Sequence, residues 1–282
     1  MKIAAASCLS LVLLNLPAAA AAPAADPTPV PDSFGFSLVP NAFSKNPRMA
    51  MTIFTDMTEH GRTMTAASPQ APVYFVALDE GMRTEGEQIG GVISPPPAKL
   101  QEMLFRSLAG GGYLPAPEGT APGLVLIYYW GSHYAMDLEQ VGMFPEVHHR
   151  SVLERAMLVG GRAYRQQVWN EFAYGYTFAD RTPKKTFLID QASNDLYFVV
   201  VSAYDHAALV AGKRKLAWRT TMTASTNGIS MQDALPPLVL TAGDYFGRET
   251  AEPVAVFRRV RRGTVTLGPL RVVADDMPKP RH

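Results

Sequence analysis

The sequence predicts a single layered domain of the α/β or α+β class, in which helices pack on one mixed β-sheet. Two apolar runs without alternation, at 123–131 and 197–203, are typical of central strands that are covered on both faces. Helical patterns separate the strands along the chain, and this interleaving favours a layered arrangement. The chain has 282 residues, of which 47% are apolar and 18% are charged, so it is long enough for a substantial core.

The elements are predicted in the order β-β-α-β-α-β-β-α-β. The strand at 215–224 alternates in polarity, which indicates burial of one face. The last strand contains Pro269, which predicts an edge position. The predicted strands lie at residues 49–58, 72–79, 123–131, 197–203, 215–224 and 264–273.

Three helices are predicted from residues that are typical of helix starts and ends. In the first, Ser94 is expected to cap the helix and the glycines from Gly110 to end it. The second runs from 151 to 174 and contains a pair of glycines, which either weakens the helix or lets a neighbouring element pack close. The third begins with a capping box at 230–233 and is expected to break or kink at the prolines 236–237.

The amino terminus predicts a secretory signal peptide over residues 1–24. Lys2 supplies the positive start, and an apolar stretch at 3–16 follows it. Small residues allow cleavage after Ala21 or Ala24, and an uncleaved amino-terminal anchor remains the alternative. The alanine-rich and proline-rich run is typical of bacterial proteins. We therefore expect an exported protein, periplasmic or extracellular.

The remaining chain divides into three predicted parts. Residues 25–42 form a flexible lead-in rich in Ala and Pro, 43–273 form one globular domain, and 274–282 form a disordered tail. Cys8 is the one cysteine of the chain, so a chain cleaved after the signal has neither disulfides nor thiolate chemistry. No integral membrane segment is predicted in the mature chain.

The charge balance argues against nucleic acid as a partner. The chain has 26 basic and 25 acidic residues, so no field of one sign attracts a polyanion to the whole molecule. The segment FRRVRRG at 257–263 has four arginines and would suit an anionic polymer. Near-zero net charge favours the alternative, an edge strand that uses charge to prevent sheet-edge pairing.

One arrangement of short motifs resembles a known group of proteins. A helix leads into Gly112-Tyr113, a strand ends in Asp205, and a basic turn precedes Trp218-Arg219. This order resembles a group of exported bacterial domains of unknown function, found in small envelope lipoproteins and accessory proteins. The chain lacks their lipid-anchor cysteine, and its helix at 151–174 has no counterpart there. The resemblance implies a non-catalytic envelope protein and carries over no catalytic residues.

The ends of the two apolar strands supply the candidate binding site. Ligands of open α/β sheets often bind beyond the carboxyl ends of the strands. Side chains at the two ends would line one surface if the strands were parallel neighbours. The alternative interpretation is that Asp205 caps a single helical turn and His206 is a surface residue. The candidate residues are Trp130, Ser132, His133, Tyr134, Asp205 and His206.

Two other chemistries are weighed against binding. Ser132 would be the nucleophile of a secreted serine hydrolase, with a distant base such as His206, but the sequence WGSHY does not match G-x-S-x-G. Glu146, His148 and His149 match no zinc motif, so no metal or cofactor is predicted. The sequence therefore predicts an exported envelope protein with a non-enzymatic binding or accessory role, for a small ligand or an envelope protein.

Overall fold

A computed structural model describes residues 43–86, 93–135, 142–143, 145–174 and 182–260, without the side chains of residues 172 and 174. The predicted signal peptide, lead-in, tail and final strand at 264–273 lie outside these residues. The strands are β1 Arg48–Met57, β2 Val73–Glu85, β3 Tyr113–Pro115, β4 Leu124–His133, β5 Leu196–Asp205, β6 Leu216–Ser225 and β7 Val254–Arg259. The helices are α1 Glu59–Thr63, α2 Pro97–Gly110, α3 Pro145–Tyr174, α4 Pro183–Ser193, α5 His206–Val210 and α6 Met231–Thr241, which a 3₁₀ turn, Ala242–Tyr245, follows.

The strands form one mixed sheet in the order β3-β2-β4-β5-β6-β1-β7. β2 runs parallel to β3 and β4, whereas each pair from β4 to β7 is antiparallel. Helices cover the sheet, so the predicted layered fold with a mixed sheet is confirmed. β4 and β5 both lie inside the sheet, as their apolar sequences predict, and the structure shows that they are neighbours.

The two faces of the sheet have different cover. One face, which we call the helix-covered face, carries Leu126 and Tyr128 of β4 and packs on α2 and α6 in one large apolar cluster. α3 and α4 pack over part of the other face, next to β1 and β7, where they form a second cluster. On this second face, α3 leaves a cleft over β2, β4 and β5.

Several local predictions are corrected. The first helix begins at Pro97, and Ser94 does not cap it. The third helix continues through Pro236 and Pro237, although the predicted capping box is present, with Ser230 Oγ accepting from Asp233 N at 3.2 Å. β6 is buried on both faces because α3 contacts it on one face of the sheet and α6 on the other.

The predicted order of elements lacks α1, α4, β3 and β7. α4 has weak helical periodicity in its sequence, and β3 is only three residues long. β7 lies at the edge of the sheet, and its final residues, Arg258 and Arg259, are exposed. Part of the arginine-rich segment at 257–263 is therefore on an edge strand.

The motif residues behind the family resemblance lie in the framework. Tyr113 packs edge-on against Trp218, with ring centroids 5.4 Å apart. Arg219 Nε donates to Ser202 Oγ of the neighbouring strand at 3.0 Å. These contacts hold strands together. The motif residues therefore have a structural role, and no binding site is needed to account for them.

Candidate functional site

The six predicted site residues are divided between opposite ends of the sheet. β4 and β5 are antiparallel, with Leu124 paired to Asp205 and His133 paired to Leu196. β4 has ten residues, which at about 3.3 Å per residue places its ends about 30 Å apart. The predicted common surface is therefore not formed, because it required parallel neighbours.

Asp205 and His206 have the local role that the alternative interpretation gave them. Asp205 caps α5, since its Oδ1 accepts from Ala208 N at 3.0 Å. Its Oδ2 lies 2.8 Å from His60 Nε2, which ties α1 to this turn. The bond from Ala208 N and the contact with His60 lower the pKa of the Asp205 carboxyl. His206 begins α5 and is half-buried.

Trp130 and Ser132 lie on the helix-covered face. The two residues alternate with His133, and Trp130 joins the large apolar cluster, with its Nε1 3.3 Å from Ser94 Oγ. Ser132 is a residue of β4, rather than lying beyond it, and is 0% exposed. Because Ser132 is buried and His206 lies at the other end of the sheet, the arrangement does not support a Ser132–His206 hydrolase.

The other face of β4 borders a cleft of about 630 Å³, a volume typical of small-molecule sites. His133 is the predicted site residue that lines it. Strand residues form one wall and residues of α3 form the other. The lining side chains are Arg83, Glu85, Tyr129, His133, Glu154, Met157, Leu158, Arg162, Arg165, Gln166 and Phe198.

Aromatic rings form the floor of the cleft. Tyr129 and Phe198 lie on neighbouring strands and meet edge to face, with centroids 6.1 Å apart. The guanidinium of Arg83 lies 3.9 Å from the centroid of the Tyr129 ring, in a cation–π contact. Between Tyr129 and His133, the backbone of β2 approaches Gly131 closely, since a Cβ there would lie 1.7 Å from the Arg83 carbonyl oxygen.

A break in α3 shapes the opposite wall. Gly160 and Gly161 have non-helical backbone angles, and φ of Gly161 is 69°, which favours glycine. A Cβ at Gly161 would lie 2.4 Å from Phe54 Cε1 of β1. The helix therefore restarts at Arg162, and the positive end of the restarted segment lies beside the cleft.

The charges of the cleft leave a net positive excess. Three arginines and two glutamates line it. Arg83 forms an ion pair with Glu80, and Glu154 Oε1 lies 3.1 Å from Arg150 Nε. Within the part of the chain that the structure describes, no ion pair is found for Arg162 or Arg165.

A buried arginine holds His133 in place. Arg155 is 0% exposed and donates to Ala192 O at 2.7 Å, Tyr134 O at 3.0 Å and Ser151 Oγ at 2.7 Å. Burial lowers its pKa to about 10. Its Nη1 also lies 3.4 Å from His133 Nδ1, so this network joins α3 and α4 to the end of β4.

His133 is kept neutral by these surroundings. It is 4% exposed, and burial together with the charge of Arg155 lowers the pKa of its imidazole. Its Nε2 lies 3.5 Å from Glu154 Oε2, too far for a good hydrogen bond, and has no closer partner among the described residues. Tyr134, the next residue, is half-buried and contributes its carbonyl oxygen to the Arg155 network.

Comparison with known proteins does not identify a family. No model of a known protein family matches the sequence, and a search of curated proteins finds no relative. The resemblance to envelope domains therefore stays a prediction. In the described ranges no helix is long and apolar enough to cross a membrane, and no cluster of metal-ligating side chains is found there.

Sequence reasoning selected one residue that lines the cleft, His133, and no residue of α3. The available signal was the sequence LVGGRAYRQ at 158–166, in which paired glycines precede two arginines at helical spacing. The glycines were expected either to weaken the helix or to let a neighbour pack close, and Phe54 of β1 does pack close to Gly161.

Proposed function

We propose that this protein is an exported, non-enzymatic binding protein of the bacterial cell envelope, and that a small ligand occupies the cleft between α3 and the sheet. The observation that carries the proposal is the amphipathic cleft itself. Its floor is aromatic, its rim is charged, and its volume of about 630 Å³ accommodates a small molecule.

Two features support binding over catalysis. The hydroxyl of Ser132 is buried under the helix-covered face, so it does not reach the cleft. His133 of the cleft wall lies against Arg155, a buried arginine behind the wall that is fixed by hydrogen bonds to the framework. A rigid, preformed wall favours affinity because little side-chain entropy is lost on binding.

Native mass spectrometry of the protein isolated from its own host tests the binding role. Wild type is expected to carry a bound small molecule that remains chemically unchanged on incubation. Leu158→Trp places a larger side chain in the cleft and should remove the adduct. Leu240→Trp is the matched control, because Leu240 is 45% exposed on α6, which packs on the helix-covered face.

Three results would contradict the binding role. Wild type without an adduct, or an adduct that survives in Leu158→Trp, would remove the cleft from the account. Recovery of a converted product would indicate an enzyme instead.

Export of the protein is tested separately from ligand binding. The mass of the protein recovered from host envelope fractions should correspond to a chain beginning at Ala22 or Ala25, after removal of the signal peptide. A chain that begins at Met1 and remains in the cytosol would contradict export without bearing on the cleft.

A further inference from the structure

We propose that the ligand of the cleft is a single-chain amphipathic carboxylate, with its head group at Arg162 and Arg165 and its hydrocarbon chain along the uncovered part of β2 and β4. This inference rests on the proposed binding function. It adds the chemical class of the ligand, its orientation and the residues that select it.

An apolar strip continues the floor of the cleft. Val125 and Ile127 share a face of β4 with Tyr129, since side chains two residues apart point the same way. Val76 and Leu78 of β2 are their register partners, and no bulge intervenes before Asp79. These four residues form the strip, which runs from Tyr129 toward the start of β4.

The strip is apolar and well exposed on β2. β3 pairs only with Val73–Phe75, so among the described residues β2 is an edge strand at Val76 and Leu78. Val76 is 43% exposed and Leu78 is 54% exposed, while Val125 and Ile127 are half-buried. From Tyr129 to Val125 it extends about 13 Å, at about 3.3 Å per residue. It is two strands wide, which suits one hydrocarbon chain rather than two.

The charge at the other end of the cleft selects the head group. Arg162 and Arg165 lie in the first turn after the break in α3, where the helix dipole adds to their positive charge. Cations at this end of a helix are unfavourable unless an anion neutralises them. A carboxylate would accept hydrogen bonds from both guanidinium groups, and the buried His133 Nε2 is a further donor or acceptor without a good partner.

The apolar strip and the two arginines together distinguish between classes of ligand. A nucleotide would also use the arginines and would stack on Tyr129 and Phe198, but it would leave the four apolar residues exposed. A neutral lipid would cover the strip but would leave the arginines without an anion. A single-chain carboxylate satisfies both features.

Titration calorimetry with full-length protein tests the assignment. Octanoate, decanoate and dodecanoate should bind with affinity rising about two- to fourfold per added methylene, while the strip is being covered. Dodecanol and dodecyltrimethylammonium, which have the same chain without the negative charge, should bind at least tenfold more weakly than dodecanoate.

Paired variants separate the head group from the chain. Arg162→Glu with Arg165→Glu should weaken dodecanoate at least tenfold and leave dodecanol within twofold. Lys213→Glu with Arg214→Glu makes the same change in charge on exposed residues between β5 and β6, at the other end of the sheet, and should have no effect at physiological salt. If the reversal variant does not fold, Arg162→Gln with Arg165→Gln should give an intermediate loss.

A further variant tests whether the hydrocarbon chain lies on the strip. Leu78→Ser should weaken dodecanoate about fivefold and leave octanoate unchanged, whereas Val210→Ser, on an exposed residue of α5, should change neither. Equal or tighter binding of dodecanol, or binding that is indifferent to Arg162 and Arg165, would overturn the carboxylate assignment. In that case a native adduct lost in Leu158→Trp would still leave the proposed binding role intact.

Discussion

At the scale of single residues, the Arg155 side chain stabilises the segment at the end of β4. Its guanidinium is buried and serves three acceptors on three different segments. A buried acceptor that loses its donor costs about 1–3 kcal/mol. His133 is placed by its pairing with β2 and β5, and Arg155 supports its ring from behind the cleft wall.

Arg155→Met is therefore expected to lower the free energy of unfolding by about 3 kcal/mol, because it leaves two carbonyl oxygens and Ser151 Oγ without a donor. Arg150→Met is the matched control, since Arg150 is exposed and pairs with Glu154 one turn along the helix. That change should cost less than about 0.5 kcal/mol. Urea denaturation measures both, and equal losses would contradict the role given to Arg155.

His133 predicts a dependence of stability on pH. Burial lowers the pKa of the folded imidazole below its ordinary value of 6.5, so the unfolded chain binds a proton that the folded chain does not. Stability from this group is fully present above pH 6.5 and falls as the pH drops from there toward the lowered pKa. Relative to His133→Gln, wild type should therefore lose more stability as the pH is lowered from 7 to 5. The free energy of unfolding is measured by urea denaturation at each pH. The same pH dependence in wild type and His133→Gln would contradict this prediction.

At the scale of elements, the break in α3 sets the width of the cleft. Gly161 has both a positive φ and a close neighbour in Phe54, so two separate costs oppose any side chain there. Gly212 has a similar φ, 74°, with no atom near its missing Cβ. The pair therefore separates backbone strain from steric overlap.

Gly212→Ala should cost about 1 kcal/mol from strain alone. Gly161→Ala should cost at least about 1 kcal/mol more, because Phe54 must also move. Thermal and urea unfolding measure the difference. Equal costs would mean that α3 does not approach β1 as closely as described.

The sequence predicts the helices and strands better than it predicts which of them pack against one another. Apolar runs mark β4 and β5 clearly, and Asp205 and Ser230 act as helix caps as their patterns indicate. The break at 160–161 is visible as paired glycines, but a sequence does not say what lies opposite the break. α4 was missed because its apolar residues lack a clear helical stripe, and tertiary packing stabilises it instead.

At the scale of the whole molecule, the direction of β5 decides which residues share a site. An antiparallel β5 carries Asp205 away from His133, and no local pattern in the sequence specifies that direction. The connection from β4 to β5 contains helices, so either direction is sterically possible. His133 therefore lies at the cleft, its role as a binding residue stays a prediction, and the shared surface with His206 is not formed.

Cross-strand disulfides test this topology. In a Cys8→Ser background, Val125→Cys with Tyr204→Cys should oxidise readily, because these residues are register partners on one face. Val125→Cys with Phe198→Cys is the control and should stay reduced, although a parallel pairing would bring that pair together. The shift in mobility on a non-reducing gel distinguishes the two.

The central claim, that the cleft binds an amphipathic anion, is tested most directly by methyl NMR. Among the 13 methionines, Met157 lines the cleft, whereas Met82 is 40% exposed and pairs with Trp130 on the helix-covered face. With ¹³C-methyl methionine, dodecanoate should shift the Met157 resonance in a saturable way and leave Met82 unchanged. A Met157 resonance that stays fixed while Met82 moves, or while nothing moves, would contradict the account.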